Sequence, residues 1–154
     1  MADVKSETGV VTDERKAPLG LLPGDSVEET PAGLRMVASK CERCGTVTYP
    51  MSEICHKCWS SSFARVHLPT RGRLYSFSII HIAPRPWHTP YALGYVDLPG
   101  NVRVLSHIKA DNLADIAIDM PVELALGEVG EQDGTPIKSF VFRAVSEGNG
   151  SRGC

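Results

Sequence analysis

The sequence predicts a mainly β chain: a rubredoxin-like four-cysteine ribbon, then a small OB-fold barrel carrying one short helix. Three observations predict it. Cys41-Glu42-Arg43-Cys44 and Cys55-His56-Lys57-Cys58 are two Cys-x-x-Cys knuckles with ten residues between them, the spacing of one tetrahedral metal site. From Phe63 onward, β-branched and aromatic residues recur in short alternating runs separated by Gly, Pro and Asn. The third is length. The chain has 154 residues, one ordinary domain or two very small ones. A ribbon of about 35 residues cannot bury a core of its own, so a metal must hold it together.

Composition narrows the function classes. The formal net charge is −2 and the pI about 6.2, so no general attraction to nucleic acid or an anionic membrane is expected. No run approaches the roughly 18 apolar residues of a membrane span. The first residues include Asp3, Glu7, Asp13 and Glu14 and lack the apolar stretch of a secretory signal. A cytoplasmic setting fits, where Cys-x-x-Cys pairs are more often metal ligands than disulfides.

In chain order, residues 1–33 are broken by Gly9, Pro18, Gly20, Pro23, Gly24, Pro31 and Gly33. They read as a flexible leader, or as an arm docking through Leu19, Leu21 and Leu22. The ribbon is expected over 34–62, entered by a short strand at Leu34–Ala38. Gly45 follows the first knuckle, where the turn needs an unhindered backbone. Thr46–Pro50 suits a short strand. Four thiolates suit Zn2+ and close its shell, leaving no position for water or substrate, so the site reads as structural. Iron would use the same ligands, and spacing alone does not separate the two metals. His56 lies between two cysteines that the knuckle geometry favours, so it is expected to face solvent. Lys40, Arg43 and Lys57 would offset the thiolate charge, and Trp59 is expected to shield the metal.

The OB-fold domain is expected over 63–145. Its elements are strands at Phe63–Leu68, Gly72–Ala83, Tyr91–Leu98 and Val102–Lys109, a helix at Asp111–Ile118 capped by Asp111, and strands from Val122 and from Ile137 to Val145. In Gly72–Ala83, alternation places Tyr75, Phe77 and Ile79 on one face and Leu74, Ile80 and Ile82 on the other. Polar turns fall at Pro99–Asn101 and Gly130–Gly134. Residues 146–154 read as a disordered tail, with Cys154 a free thiol.

These pieces resemble a known family. Gly33-Leu34-Arg35 leads into Cys41-x-x-Cys44-Gly45, Tyr49-Pro50 and Cys55-x-x-Cys58. Gly72–Ser78, Pro90–Leu98 and Ile118–Glu123 follow in the same order. Over about 33–145 the chain resembles the acyl-CoA-associated zinc-ribbon/OB-fold proteins, accessory subunits of thiolase-like enzymes. The resemblance implies a non-catalytic subunit of a heteromeric acyl-CoA acyltransferase, expected as an α2β2 assembly. The partner would carry the nucleophilic cysteine and catalytic histidines, and this chain would stabilise it and shape its CoA or acyl pocket. The family's range suggests thiolytic cleavage of a bulky, aromatic or steroid-like 3-oxoacyl-CoA, such as a benzylsuccinyl-CoA derivative. Family members often begin with a helical aromatic segment; this chain has a Pro/Gly-rich leader instead.

No catalytic set emerges. His81, His88 and His107 have no assignable carboxylate partner, and nucleophile-elbow, phosphate-loop and His-Glu-x-x-His motifs are absent. The candidate contact residues for partner or acyl-CoA are Arg85, Trp87 and His88, on a loop stiffened by Pro84, Pro86 and Pro90, together with Arg71 and Arg73. Trp87 has a second reading, folded back against the barrel end. The rival function is a single-stranded nucleic-acid-binding ribbon/OB module. The slight negative charge and an aromatic content of only 6% speak against it.

Overall fold

The computed structural model describes residues 26–145. It contains nine strands: β1 (Val27–Thr30), β2 (Gly33–Cys41), β3 (Val47–Thr48), β4 (Phe63–His67), β5 (Arg71–Ile80), β6 (Tyr91–Leu98), β7 (Val102–Lys109), β8 (Pro121–Gln132) and β9 (Thr135–Ala144). The first four form an antiparallel sheet around β2, which pairs with β1, β3 and β4. The last five close a barrel in the order β5-β6-β7-β9-β8. Three consecutive strands, then the fifth before the fourth, with β7 and β9 parallel, is the Greek-key arrangement of an OB barrel.

Hairpin turns set much of the register. Asn101 and Gly100 take positive φ (63° and 91°) between β6 and β7, and Asp133 and Gly134 (51° and 77°) between β8 and β9. Asp-Gly between two strands is a two-residue turn whose twist matches theirs. The ladder therefore runs to Gln132↔Thr135. The polar turn expected over Gly130–Gly134 is correspondingly shorter, with β8 occupying Gly130–Gln132.

Several expectations are corrected. Val27–Thr30, expected within a leader, is a strand paired to β2, and Val27 and Ser26 are buried. Its alternation is too short to stand out, and only β2 gives it a partner. Residues 1–25 and the tail with Cys154 lie outside the described residues. Phe63–His67, expected in the barrel domain, pairs with β2 in the ribbon sheet. The expected helix shrinks to a single 3-10 turn, Leu113–Asp115, capped by the side chain of Asn112 rather than Asp111. Finally, a β-bulge between Leu74 and Ser76 resets the face of β5. Leu74, Phe77 and Ile79 pack into the core while Tyr75 is 51% exposed. An extra residue at a bulge shifts every later side chain to the opposite face, which simple alternation does not anticipate.

Ribbon sheet and barrel share one core. Val27, Met36 and Ala38 belong to the same buried cluster as Leu74, Val96, Ile108 and Phe142, and Leu34, Val47, Tyr49 and Val66 pack against it. The joint is stitched as well as packed. Leu68, buried, donates its amide to Met36 O at 2.9 Å, and Leu124 donates to Thr70 O at 2.7 Å. Tyr49 meets Phe140 of β9 edge-on, with ring centroids 6.3 Å apart. The inner half of the ribbon is thus part of the barrel's packing.

Candidate metal centre and contact surface

β2 ends at Cys41, which its ladder with β4 buries, and the chain then turns twice on one plan. In the first knuckle Gly45 N donates to Cys41 O at 2.9 Å and Cys41 N donates to Thr46 O at 2.8 Å. In the second, Trp59 N donates to Cys55 O at 2.9 Å and Cys55 N to Ser60 O at 2.9 Å. Each knuckle ends on a left-handed residue, Gly45 at φ 74° and Trp59 at φ 61°. This pairing brings four sulfurs together. Cys41, Cys44, Cys55 and Cys58 place their Sγ atoms within 4.8 Å of one another. The Cys41–Cys58 and Cys44–Cys55 separations are 3.5 and 3.6 Å. A tetrahedron with Zn–S bonds near 2.3 Å has S···S edges of about 3.8 Å, so the donor set fits Zn2+. All four cysteines of the described residues are in this cluster, and four thiolate ligands fill a tetrahedral shell.

The sulfurs differ in proton affinity. The hydrogen bond between Cys44 Sγ and the Thr46 hydroxyl, 3.1 Å apart, together with the Thr46 amide, holds the Cys44 thiol down to about 6. At Cys58 the Ser60 amide pulls the value down, but desolvation and the three neighbouring sulfurs push it up to about 12. Without a cation, four thiolates cannot share this volume; a divalent cation lets all four ionise and releases their protons.

Trp59, expected to shield the metal, is 79% exposed. Its ring is turned to solvent, and its backbone takes the left-handed conformation that closes the knuckle. That conformation costs a residue with a Cβ about 1–2 kcal/mol relative to Gly.

The candidate contact residues divide into two groups. Arg71 and Arg73 sit at the start of β5 and are already engaged. Arg71 Nε lies 3.4 Å from Glu123, and Arg73 donates to Asp119 O at 2.9 Å with the Asp119 carboxylate at 3.8 Å. Arg85, Trp87 and His88 lie beyond the far end of β5. The two arginine sites therefore do not converge on one phosphate position.

The 84–90 loop is pinned across β8. Glu131 N donates to Pro86 O at 3.0 Å, His88 N to Val129 O at 3.3 Å, and Trp87 bridges Gly130. Gly130 is required here: a Cβ on it would stand 2.2 Å from Pro86 O. Trp87 is half-buried, its ring 5.4 Å from that of His107, and Tyr91 stacks on His107 at 4.5 Å. Desolvation there, with Lys109 nearby, pushes His107 down to about 4. Arg85 is left exposed at the loop's outer edge, and His88 lies 3.9 Å from Glu128.

Reasoning from sequence missed a second surface. Tyr75, Tyr95 and Leu105 are exposed on the outer face of β5, β6 and β7, with Tyr95 opposite Leu105. Arg103 lies 3.4 Å over the Tyr75 ring and pairs with Asp97 in a two-pronged contact, Nε to Oδ1 at 2.5 Å and Nη2 to Oδ2 at 3.0 Å. The period-2 pattern of β6 and β7 carried this signal, since Tyr95 and Leu105 fall among the polar outward positions.

A four-cysteine ribbon fused to an OB barrel defines a protein of the zinc-ribbon/OB class. Family comparison makes this specific. The family described as the ChsH2 rubredoxin-like zinc ribbon domain matches residues 34–64, and that described as the ChsH2 C-terminal OB-fold domain matches 65–127. The chain belongs to this ChsH2-type, zinc-ribbon/OB-fold family. It is 37% identical to the benzoylsuccinyl-CoA thiolase subunit BbsA of Thauera aromatica, over 69% of this chain and 74% of that one. It is 38% identical to the BbsA subunit of Geobacter metallireducens, over 70% and 73%. A DUF35 domain-containing scaffold protein of Methanocaldococcus jannaschii is 29% identical over 71% and 82%. Among solved structures, the Ltp2-ChsH2(DUF35) aldolase aligns with a TM-score of 0.59 at 27% identity, covering 71% of this chain and 84% of that one.

Proposed function

We propose that this chain is a non-catalytic accessory subunit of a heteromeric thiolase-like enzyme acting on acyl-CoA. In this reading it stabilises its partner and helps shape the partner's CoA or acyl pocket. The observation that carries the reading is the likeness, at 37 and 38% identity, to two subunits of a benzoylsuccinyl-CoA thiolase. The site agrees in kind: four converging sulfurs suit a closed metal shell. The substrate is a bulky, aromatic or steroid-like 3-oxoacyl-CoA, the assembly is α2β2, and the setting is cytoplasmic. No helix among the described residues is long and apolar enough to cross a membrane.

Zn2+ is held by Cys41, Cys44, Cys55 and Cys58, where it supplies cross-linking and no open coordination site. Arg85, with Trp87 and His88 behind it, contributes a contact to partner or acyl-CoA from a loop that needs no ordering on binding. Arg71 and Arg73 contribute a separate contact at the other end of β5.

The experiment is co-expression with the thiolase-like subunit of the same organism, followed by size and elemental analysis. The expected result is a co-eluting complex with about one zinc per copy of this chain, and thiolysis that is lost when this chain is omitted. A monomer that ignores that subunit overturns the proposal. The outward Tyr75 and Tyr95 favour one alternative, stacking of single-stranded nucleic acid. Against it, Arg103 beside those rings is held by Asp97 and Arg73 by Asp119. Salt-sensitive oligonucleotide binding without the thiolase-like subunit would select it.

A further inference from the structure

The four sulfurs of the ribbon are not equally sheltered. Cys41 and Cys55 are buried, whereas Cys44 is exposed at the tip. Cys44 Sγ lies 3.6 Å from Cys55 Sγ, and Cys41 Sγ lies 3.5 Å from Cys58 Sγ. Both of these close pairs run from one knuckle to the other, not within a Cys-x-x-Cys. An exposed sulfur with a buried one in contact is the arrangement of an oxidisable cysteine and its resolving partner, since oxidation follows thiolate character and access. The fold also confines what such a reaction can disturb. Met36 and Ala38 of β2 lie in the shared core, Val47, Tyr49 and Val66 pack against it, and Leu68 N donates to Met36 O at 2.9 Å. The base of the ribbon therefore stands without the sulfurs, and only the tip depends on how they are joined.

We propose that the cluster is a peroxide-responsive switch, in which oxidation joins Cys44 to Cys55 across the two knuckles and releases the zinc. This rests on the zinc reading above and adds a second, metal-free closure of the same tip. The oxidant is a peroxide, and the chemistry balances. Cys44 Sγ attacks one peroxide oxygen; the O–O bond breaks, a sulfenic acid forms on Cys44, and the other oxygen leaves as hydroxide and is protonated to water. Cys55 Sγ, already in contact, attacks the Cys44 sulfur; the S–O bond breaks, and a second hydroxide leaves and is protonated. The two sulfurs give up the two electrons that the peroxide accepts. Cys41 and Cys58 remain, too few donors to fill a tetrahedral shell, and take up protons as the metal leaves. Because the new bond spans the gap that the metal bridged, the knuckles stay joined. The barrel, which shares its core only with the ribbon's base, keeps its structure.

The test uses the full chain carrying Cys154→Ser, so that the fifth cysteine of the sequence takes no part. The zinc-loaded chain is treated with hydrogen peroxide. Zinc release is followed with a chromogenic chelator, thiols are counted in parallel, and the product is mapped by mass spectrometry without reduction. The expected result is about two thiols lost per zinc released, peptides joined through Cys44 and Cys55, and hydrogen-exchange protection of β6 and β7 unchanged. A dithiol reductant should then restore full zinc binding. A chain that keeps its zinc and its thiols, while free glutathione in the same peroxide solution is oxidised, overturns the switch and leaves the zinc reading standing. Zinc lost with sulfinic or sulfonic acids in place of a disulfide also overturns it, as does a bridge confined to one Cys-x-x-Cys. Lost protection in β6 and β7 overturns the confinement to the tip. A chain that takes up no zinc removes both the switch and the zinc reading.

Discussion

The ribbon's outer half and the barrel solve the same problem with different means. The barrel closes every strand onto a neighbour and fills the enclosed space with side chains such as Leu74, Val96, Val104 and Phe142, all essentially inaccessible. The knuckles of residues 41–60 have one two-residue strand, few buried side chains beyond Cys41 and Cys55, and four converging sulfurs. Between them, β2 serves both: Met36 and Ala38 face the shared core, and Cys41 at its end faces the metal site. The difference shows where metal is needed. Apolar burial scales with enclosed volume, and a turn-rich segment of this size encloses too little. On the proposed reading a metal would hold the tip, while packing holds the base.

Removing a ligand is the most forceful way to break that comparison. Cys55→Ser should abolish stoichiometric zinc binding and melt the knuckles, since structural zinc in small ribbons supplies on the order of 10 kcal/mol of local folding energy. The barrel amides of β6 and β7 should keep their hydrogen-exchange protection. Loss of protection throughout the chain would show that the two halves fold only together. Within the barrel, Phe142→Ala should cost about 3–5 kcal/mol of global stability, read by denaturant unfolding. Zinc should remain bound to the fraction that is folded.

A smaller effect is expected where the loop crosses β8. Gly130→Ala forces a Cβ against Pro86 O, and releasing the loop should cost about 1–3 kcal/mol. Increased proteolysis near Arg85, with the barrel's far end unchanged, is the measurement. A pH-dependent effect is expected at His107. Its folded value is pushed down to about 4 by desolvation and Lys109, below the ordinary 6.5. Between those values the unfolded chain binds more protons, so stability is present above about 6.5 and is lost as pH falls toward 4. The parent should lose thermal stability across that window, and His107→Gln should flatten this part of the profile. An identical slope in the variant would assign the pH dependence to other groups.

Much of this was legible in the chain itself. The Cys-x-x-Cys spacing specified which four sulfurs converge, because knuckle geometry is written in local sequence. The alternation of Val102, Val104 and Ile108 against Arg103 and His107 likewise specified β7 and its hairpin with β6. Less was legible wherever distant segments decide. Val27–Thr30 became a strand only because β2 offered it an edge, and Phe63–His67 joined the ribbon sheet because β2's other edge was open. The bulge at Tyr75 turned an expected core residue outward. The Asp111–Ile118 segment had helical signals and room for only one turn, since Asp119 and Met120 are tied back to Leu74 by hydrogen bonds of 2.7 and 3.0 Å.

The sequence by itself determined the four converging cysteines, the order of ribbon before barrel, and the family resemblance, all carried by local spacing and motif order. Only the tertiary structure decided which side chains face outward. That is why Trp59 could be read from sequence as a shield for the metal, whereas its ring is 79% exposed. It is also why Arg71, Arg73 and Arg85 could be read as one charged group until a ten-residue strand separated them. Spacing along a chain records neighbours within an element, whereas facing depends on bulges, turns and the partners that each strand finds.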